Sequence, residues 1–119
     1  YYRAGYLKEI KMSENILSIT TESWDKEVIQ SSSLVVIDFW GTHCRPCKTI
    51  APIIEELAKE YTGRAKVVKL NVEESPEIAS RYRIIGVPTI MFLKNGNVMD
   101  RIVGAVPKEQ LKSKLESLL

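Results

Sequence analysis

Apolar positions along this chain switch between short β-like runs and stretches with helical spacing. Ile16–Ile19 reads as a short strand. Thr21 is a good N-cap for a helix running to about Gln30, because Trp24 and Val28 are four residues apart on one face. Ser31-Ser32-Ser33 is a loop. Leu34–Trp40 is a continuous apolar run broken only by Asp38, the pattern of a strand buried on both faces. From Cys44 to about Tyr61, residues Ile50, Ile54, Leu57 and Tyr61 recur at helical spacing, with Glu55, Glu56, Lys59 and Glu60 largely opposite. Pro52 falls inside that helix, removes one backbone hydrogen bond and should kink it. Gly63 ends it.

Lys66–Val72 predicts a third strand, rich in Val and Leu. Pro76 fits the first turn of a short helix carrying Ile78, Ala79 and Tyr82. Beyond Gly86-Val87-Pro88, Thr89–Leu93 and Val98–Val103 read as strands joined through Lys94-Asn95-Gly96-Asn97. Asn-Gly there is a strong hairpin signal, since both residues tolerate the positive φ of a tight turn. Lys108–Leu119 closes the chain as a helix with Leu111, Leu115 and Leu118 on one face. The order β-α-β-α-β-α-β-β-α predicts an α/β domain, a mixed central sheet flanked by helices.

Composition narrows the function classes. The 119 residues are 45% apolar and 27% charged, near the globular average, which argues against disorder and fibrous repeats. A chain this long can bury roughly two-thirds of its unfolded surface and needs no metal or disulfide staple to fold. Residues 1–12 hold Arg3, Lys8 and Lys11 against Glu9, which accounts for the whole net charge of +2, so residues 13–119 sum to zero. A neutral domain without a Lys/Arg cluster is a poor nucleic-acid binder. The longest strongly apolar run, Leu34-Val35-Val36-Ile37, is far short of a membrane span. The start lacks the apolar core of a signal peptide. A reducing, cytoplasmic compartment is the expectation, with no nucleic-acid or membrane partner and a monomeric state.

Residues 1–12 show no clear period. A short helix, a targeting remnant and sequence outside the natural reading frame compete for them. The last is favoured, because Lys8-Glu9-Ile10 back-translates to a purine-rich ribosome-binding site at start-codon distance from Met12. The domain proper is then residues 13–119.

Cys44 and Cys47 are the chain's two cysteines. Cys44 follows a strand end and the loop Gly41-Thr42-His43, and opens the long helix. A sulfur at a helix N-terminus faces unpaired N–H groups and the positive end of the macrodipole, so its pKa should fall below the free value of about 8.5. Cys47, one turn deeper, is placed to attack a mixed disulfide formed at Cys44, and Pro46 keeps the two sulfurs close. Nucleophile, resolving thiol and easy ring closure together point to thiol–disulfide exchange. A zinc site is disfavoured, since two Cys and the adjacent His43 fall short of a tetrahedral set, and no metal is implied. A static structural bridge is disfavoured too, since so small a loop removes little unfolded-state entropy. Ordinary buried cysteines would need neither the strand–loop–helix setting nor the Pro between them.

Val36-Ile37-Asp38-Phe39-Trp40, Cys44-Arg45-Pro46-Cys47-Lys48 and Ile50-Ala51-Pro52 closely resemble the active-site strand and helix of the thioredoxin family. Gly86-Val87-Pro88-Thr89 resembles that family's cis-proline loop, and Lys94-Asn95-Gly96 with Val103-Gly104-Ala105 its last hairpin. The resemblance runs from about Ile16 to Leu119. It implies a thioredoxin fold, a mixed five-stranded sheet flanked by four helices. It also implies a protein disulfide reductase acting on disulfide-containing protein substrates, recharged by a thioredoxin reductase, with a redox-active disulfide in place of any cofactor.

Carried onto this chain, the resemblance implies Cys44 as nucleophile, Cys47 as resolving thiol, and Asp38 as the buried carboxylate that helps Cys47 lose or gain its proton through water. The physics agrees, because a carboxylate inside an apolar strand is costly unless paired and its pKa should rise. Lys69, on the neighbouring strand, would be its partner; a merely structural Asp38–Lys69 pair is the competing reading. Pro88 is either a plain turn proline or the cis-proline that abuts the sulfurs and exposes the Val87 backbone to an extended substrate. Trp40 is a contact beside the site or strand-end packing. Gly41, Gly86 and Gly104 serve backbone geometry and close substrate approach.

Two positions depart from the family pattern. Arg45 replaces a Gly between the cysteines, and His43 replaces the Trp before them. Arg45 either raises the reduction potential slightly, by about 15 mV for half a pKa unit, or is simply solvated. In its protonated form His43 would add a second cation beside Cys44, and it removes a large apolar docking surface. A dedicated donor to one partner, such as a peroxiredoxin, and a thioredoxin-like interaction module therefore remain as alternatives. An oxidase or isomerase on the same fold is a further one.

Overall fold

The apolar run Leu34–Trp40 folds as a central strand, and the rest of the sheet assembles on both of its edges in this computed structural model, which describes residues 16–119. Strands β1 (Leu17–Ile19), β2 (Leu34–Trp40), β3 (Ala65–Asn71), β4 (Thr89–Lys94) and β5 (Asn97–Val103) form one sheet in the order β1-β3-β2-β4-β5. β3 is parallel to β1 and β2, while β4 is antiparallel to β2 and β5. Helices α1 (Asp25–Ile29), α2 (Arg45–Glu60), α3 (Pro76–Arg81) and α4 (Lys108–Leu118) complete the fold. The expected mixed five-stranded sheet with four helices is the observed architecture. The reading-frame expectation for residues 1–12 lies outside the described residues.

Alternation along the strands splits the core in two. Leu34 and Val36 of β2 pack with Ile50, Ile54 and Leu57 of α2 and with Leu111 of α4. Val35, Ile37 and Phe39 face the other way, toward Trp24 and Val28 near α1 and Ile78 of α3. Asp38 shares the parity of Leu34 and Val36, so it points to the α2 side. The same parity in β3 puts Lys69 on that side, in register with Asp38.

One expectation changes in detail. Thr21 does not cap a helix: its N–H donates to Ser75 Oγ at 3.1 Å and its hydroxyl to Glu77 Oε1 at 3.1 Å. With those groups committed to the α3 region, regular helix starts only at Asp25. It is wound in π form, with Gln30 N–H donating to the Asp25 carbonyl at 2.9 Å. Pro52 leaves α2 one continuous element from Arg45 to Glu60; it lies on the exposed side, where water can take up the carbonyl it leaves unpaired.

Candidate active site

Cys44 is the N-cap of α2, held outside the helical region at φ −102°, ψ 106°. The Cys47 N–H, one of the helix's first unpaired donors, points at Cys44 Sγ from 3.2 Å. Cys44 and Cys47 are joined by a disulfide, with Cα atoms 5.3 Å apart. Cys44 is half-buried, whereas Cys47 keeps only 5% of its surface exposed. An incoming group therefore meets Cys44 first.

Behind the pair lies a cavity of about 180 Å³ lined by Asp38, Trp40, Thr42, Cys47 and Lys69. Asp38 is 5% exposed, and its Oδ1 is buried with no donor among the described residues. Burial pushes its carboxyl up from an ordinary 3.8 to about 7, and the Lys69 charge opposes that only in part. Asp38 and Lys69 do not come within ion-pair distance of each other. The geometry thus lacks the close contact that a structural pair would need.

A second loop, just before β4, lies against Cys44. The Val87–Pro88 peptide bond is cis, and the Val87 carbonyl oxygen lies 3.6 Å from Cys44 Sγ. In the disulfide state that sulfur has no proton to donate, so this is a packing contact. Thr89 Oγ1 donates to the Gly86 carbonyl at 2.6 Å, and Gly104 N–H donates to the Pro88 carbonyl at 2.8 Å. Gly104 has φ +102°, a conformation that favours glycine, and it ties the end of β5 to this loop.

Most residues singled out in the sequence converge here. Asp38, Trp40, Cys47 and Lys69 share the cavity, and Val87, Pro88 and Gly104 form the second loop. Arg45 and Pro46 occupy the first turn of α2, exposed and away from the cavity wall. Sequence reasoning missed Asn71 and Glu73, which bind the Thr42 segment through side-chain hydrogen bonds. The available signal was an Asn two residues before Glu at a strand end, where Asn71 Oδ1 accepts from Glu73 N–H at 2.8 Å.

Two adjacent sulfurs that can alternate between dithiol and disulfide, one outside and one buried over an acid, are the equipment of a thiol–disulfide redox domain. Comparison with known proteins gives the family. The family model described as Thioredoxin matches residues 15–117. The M-type chloroplastic thioredoxin of Pisum sativum is 50% identical over 101 residues, covering 85% of this chain and 59% of its own length. That of Spinacia oleracea is 42% identical over 118 residues, covering 99% of this chain and 65% of its own length. Thioredoxin 1 of a Nostoc species is 44% identical over 101 residues, covering 85% of this chain and 94% of its own length. The chain belongs to the thioredoxin family. It spans less than two-thirds of the length of the pea and spinach relatives.

These relatives correct one expectation. The cytoplasmic assignment rested on a reducing environment, and relatives at 50% and 42% identity are chloroplastic by name. A Cys-x-x-Cys domain is suited to any reducing compartment, so its chemistry does not select the cytoplasm. Among the described residues no cluster of three or more His, Cys, Asp or Glu could hold a metal, and no helix is long and apolar enough to cross a membrane.

Proposed function

We propose that this chain is a protein disulfide reductase working by dithiol–disulfide exchange at Cys44 and Cys47. The observation that carries this is the half-buried Cys44 at the α2 N-terminus, disulfide-linked to a buried Cys47 that shares a cavity with Asp38. In the dithiol state the Cys44 thiolate is favoured by the Cys47 N–H and the helix dipole. It attacks one sulfur of a substrate disulfide, and the other substrate sulfur leaves as a thiolate. Cys47 then gives up its proton and attacks Cys44 Sγ, which releases the second substrate thiol. The substrate gains two electrons, and the product is the Cys44–Cys47 disulfide.

Asp38 is the acceptor for the Cys47 proton. With its carboxyl titrating at about 7, it can take a proton and return it near neutral pH. The cavity between them has room for water to carry that proton. Lys69 lowers the cost of ionising Asp38 from the neighbouring strand. Val87 offers its backbone to an extended substrate segment, with Pro88 fixing the loop and Trp40 and Gly104 flanking it. Arg45 and Pro46 shape the approach to Cys44.

A reductase such as thioredoxin reductase would return electrons to the disulfide, and the substrates are proteins bearing accessible disulfides. The names of the pea and spinach relatives make a plastid the proposed compartment, which organelle fractionation with an antibody to this chain would check; recovery outside plastids would refute it.

Insulin reduction tests the activity. The wild type should accelerate insulin precipitation by dithiothreitol, and Cys44→Ser should abolish the acceleration. An interaction module would show none in the wild type, and its partner would stay bound after both cysteines are replaced.

A further inference from the structure

The end of β3 grips the segment that leads into Cys44. Val72 N–H donates to the Trp40 carbonyl at 3.0 Å, and Asn71 Nδ2 donates to Thr42 Oγ1 at 3.3 Å. Thr42 N–H donates to Glu73 Oε2 at 2.8 Å. Asn71 is buried and orders Glu73 in turn, accepting its N–H at 2.8 Å. Gly41 leaves room for this arrangement. A Cβ there would lie 3.3 Å from Glu73 Oε2, 3.5 Å from Val87 Cγ2 and 3.8 Å from Cys44 Cβ. The Glu73 carboxylate, the Val87 loop and the first cysteine thus surround one point.

Where the chain turns at Gly41–His43 decides how Cys44 enters α2. Cys44 must keep an extended backbone for its sulfur to receive the Cys47 N–H. A backbone N–H bonded to a carboxylate is a charge-assisted contact, stronger than a neutral one. We propose that Glu73 is a positioning residue for the exchange reaction: by accepting the Thr42 N–H it holds the loop so that Cys44 Sγ stays over the α2 N-terminus and beneath Val87. Glu73 donates nothing to the sulfurs and acts only through the loop. The catalytic consequence rests on the function proposed above; the effect on Cys44 reactivity does not.

Glu73→Gln and Glu73→Ala separate the contributions, and both should fold because the side chain is exposed. Glutamine keeps an oxygen for the Thr42 N–H and removes the charge, whereas alanine removes both. The readouts are iodoacetamide alkylation of Cys44 in the reduced protein at pH 7 and kcat/KM for insulin. Alkylation should be about threefold slower in Glu73→Ala than in Glu73→Gln, with kcat/KM lower by a similar factor. Equal alkylation rates in the two variants would overturn the proposal. Should the wild type fail to reduce insulin, the functional reading falls while the alkylation comparison still decides the role of Glu73.

Discussion

Asp38 is held where an ion is least welcome, and the pH dependence of stability should record it. Below about pH 3.8 the carboxyl is neutral in both folded and unfolded chains and costs nothing. Between there and about pH 7 the unfolded chain ionises while the native one stays protonated, so stability falls as pH rises, and the full penalty is present above that window. About three units at 1.36 kcal/mol each give an upper bound of about 4 kcal/mol. Asp38→Asn should therefore stabilise the protein by about 2–4 kcal/mol at pH 8 and by almost nothing at pH 4, measured by urea unfolding. The same variant should slow disulfide exchange at least about tenfold at pH 7, if Asp38 is the proton acceptor proposed for Cys47. A variant no more stable than wild type at pH 8, or with an unchanged rate across pH 6–9 (about the thiol range), would contradict this account. Asp38 was legible in the sequence because it alone interrupts an apolar strand. Glu73 was not, because its hydrogen bond to Thr42 spans 31 positions and joins two loops that no periodicity brings together.

At the scale of elements, local signals worked where nothing tertiary competed with them. Asn95 and Gly96 take φ 53° and 80° in a two-residue turn between β4 and β5, as the Asn-Gly pair predicts. Gly96→Ala would put a Cβ in ordinary contact with Ile29 Cγ2 at 3.6 Å, so its cost is the positive φ rather than a clash. A loss of about 1 kcal/mol follows, seen as a Tm lower by about 4 °C; an unchanged Tm would show that the turn adapts freely. The α1 region went the other way. Trp24 and Val28 are buried as their spacing predicts, but Thr21 bonds to Ser75 and Glu77, more than fifty residues on. Such a partner is invisible to a window of local propensity, and it shortened the helix from its start.

For the whole molecule, the crossing of sheet and helix brings the separate motifs to one end of the fold. The parallel pairing of β2 and β3 sets Asp38 beside Lys69, and the α2 side of the sheet places both beneath Cys47. β4 runs antiparallel to β2 and delivers Val87 to the same end. Residue patterns alone gave the separate motifs, and only the family resemblance implied that they meet; the sequence did not show the distance that keeps Asp38 from pairing with Lys69. The compartment was beyond reach for a different reason, since redox chemistry is common to more than one reducing space.

The exchange mechanism requires that an outer sulfur capture and an inner one release. Cys47→Ser and Cys44→Ser proteins, each reduced and incubated with a disulfide-bearing protein, would be resolved on non-reducing gels and mapped by mass spectrometry. Cys47→Ser should accumulate a mixed disulfide through Cys44, with little formed through Cys47 in Cys44→Ser. No adduct in either variant, or equal adducts in both, would contradict the assignment.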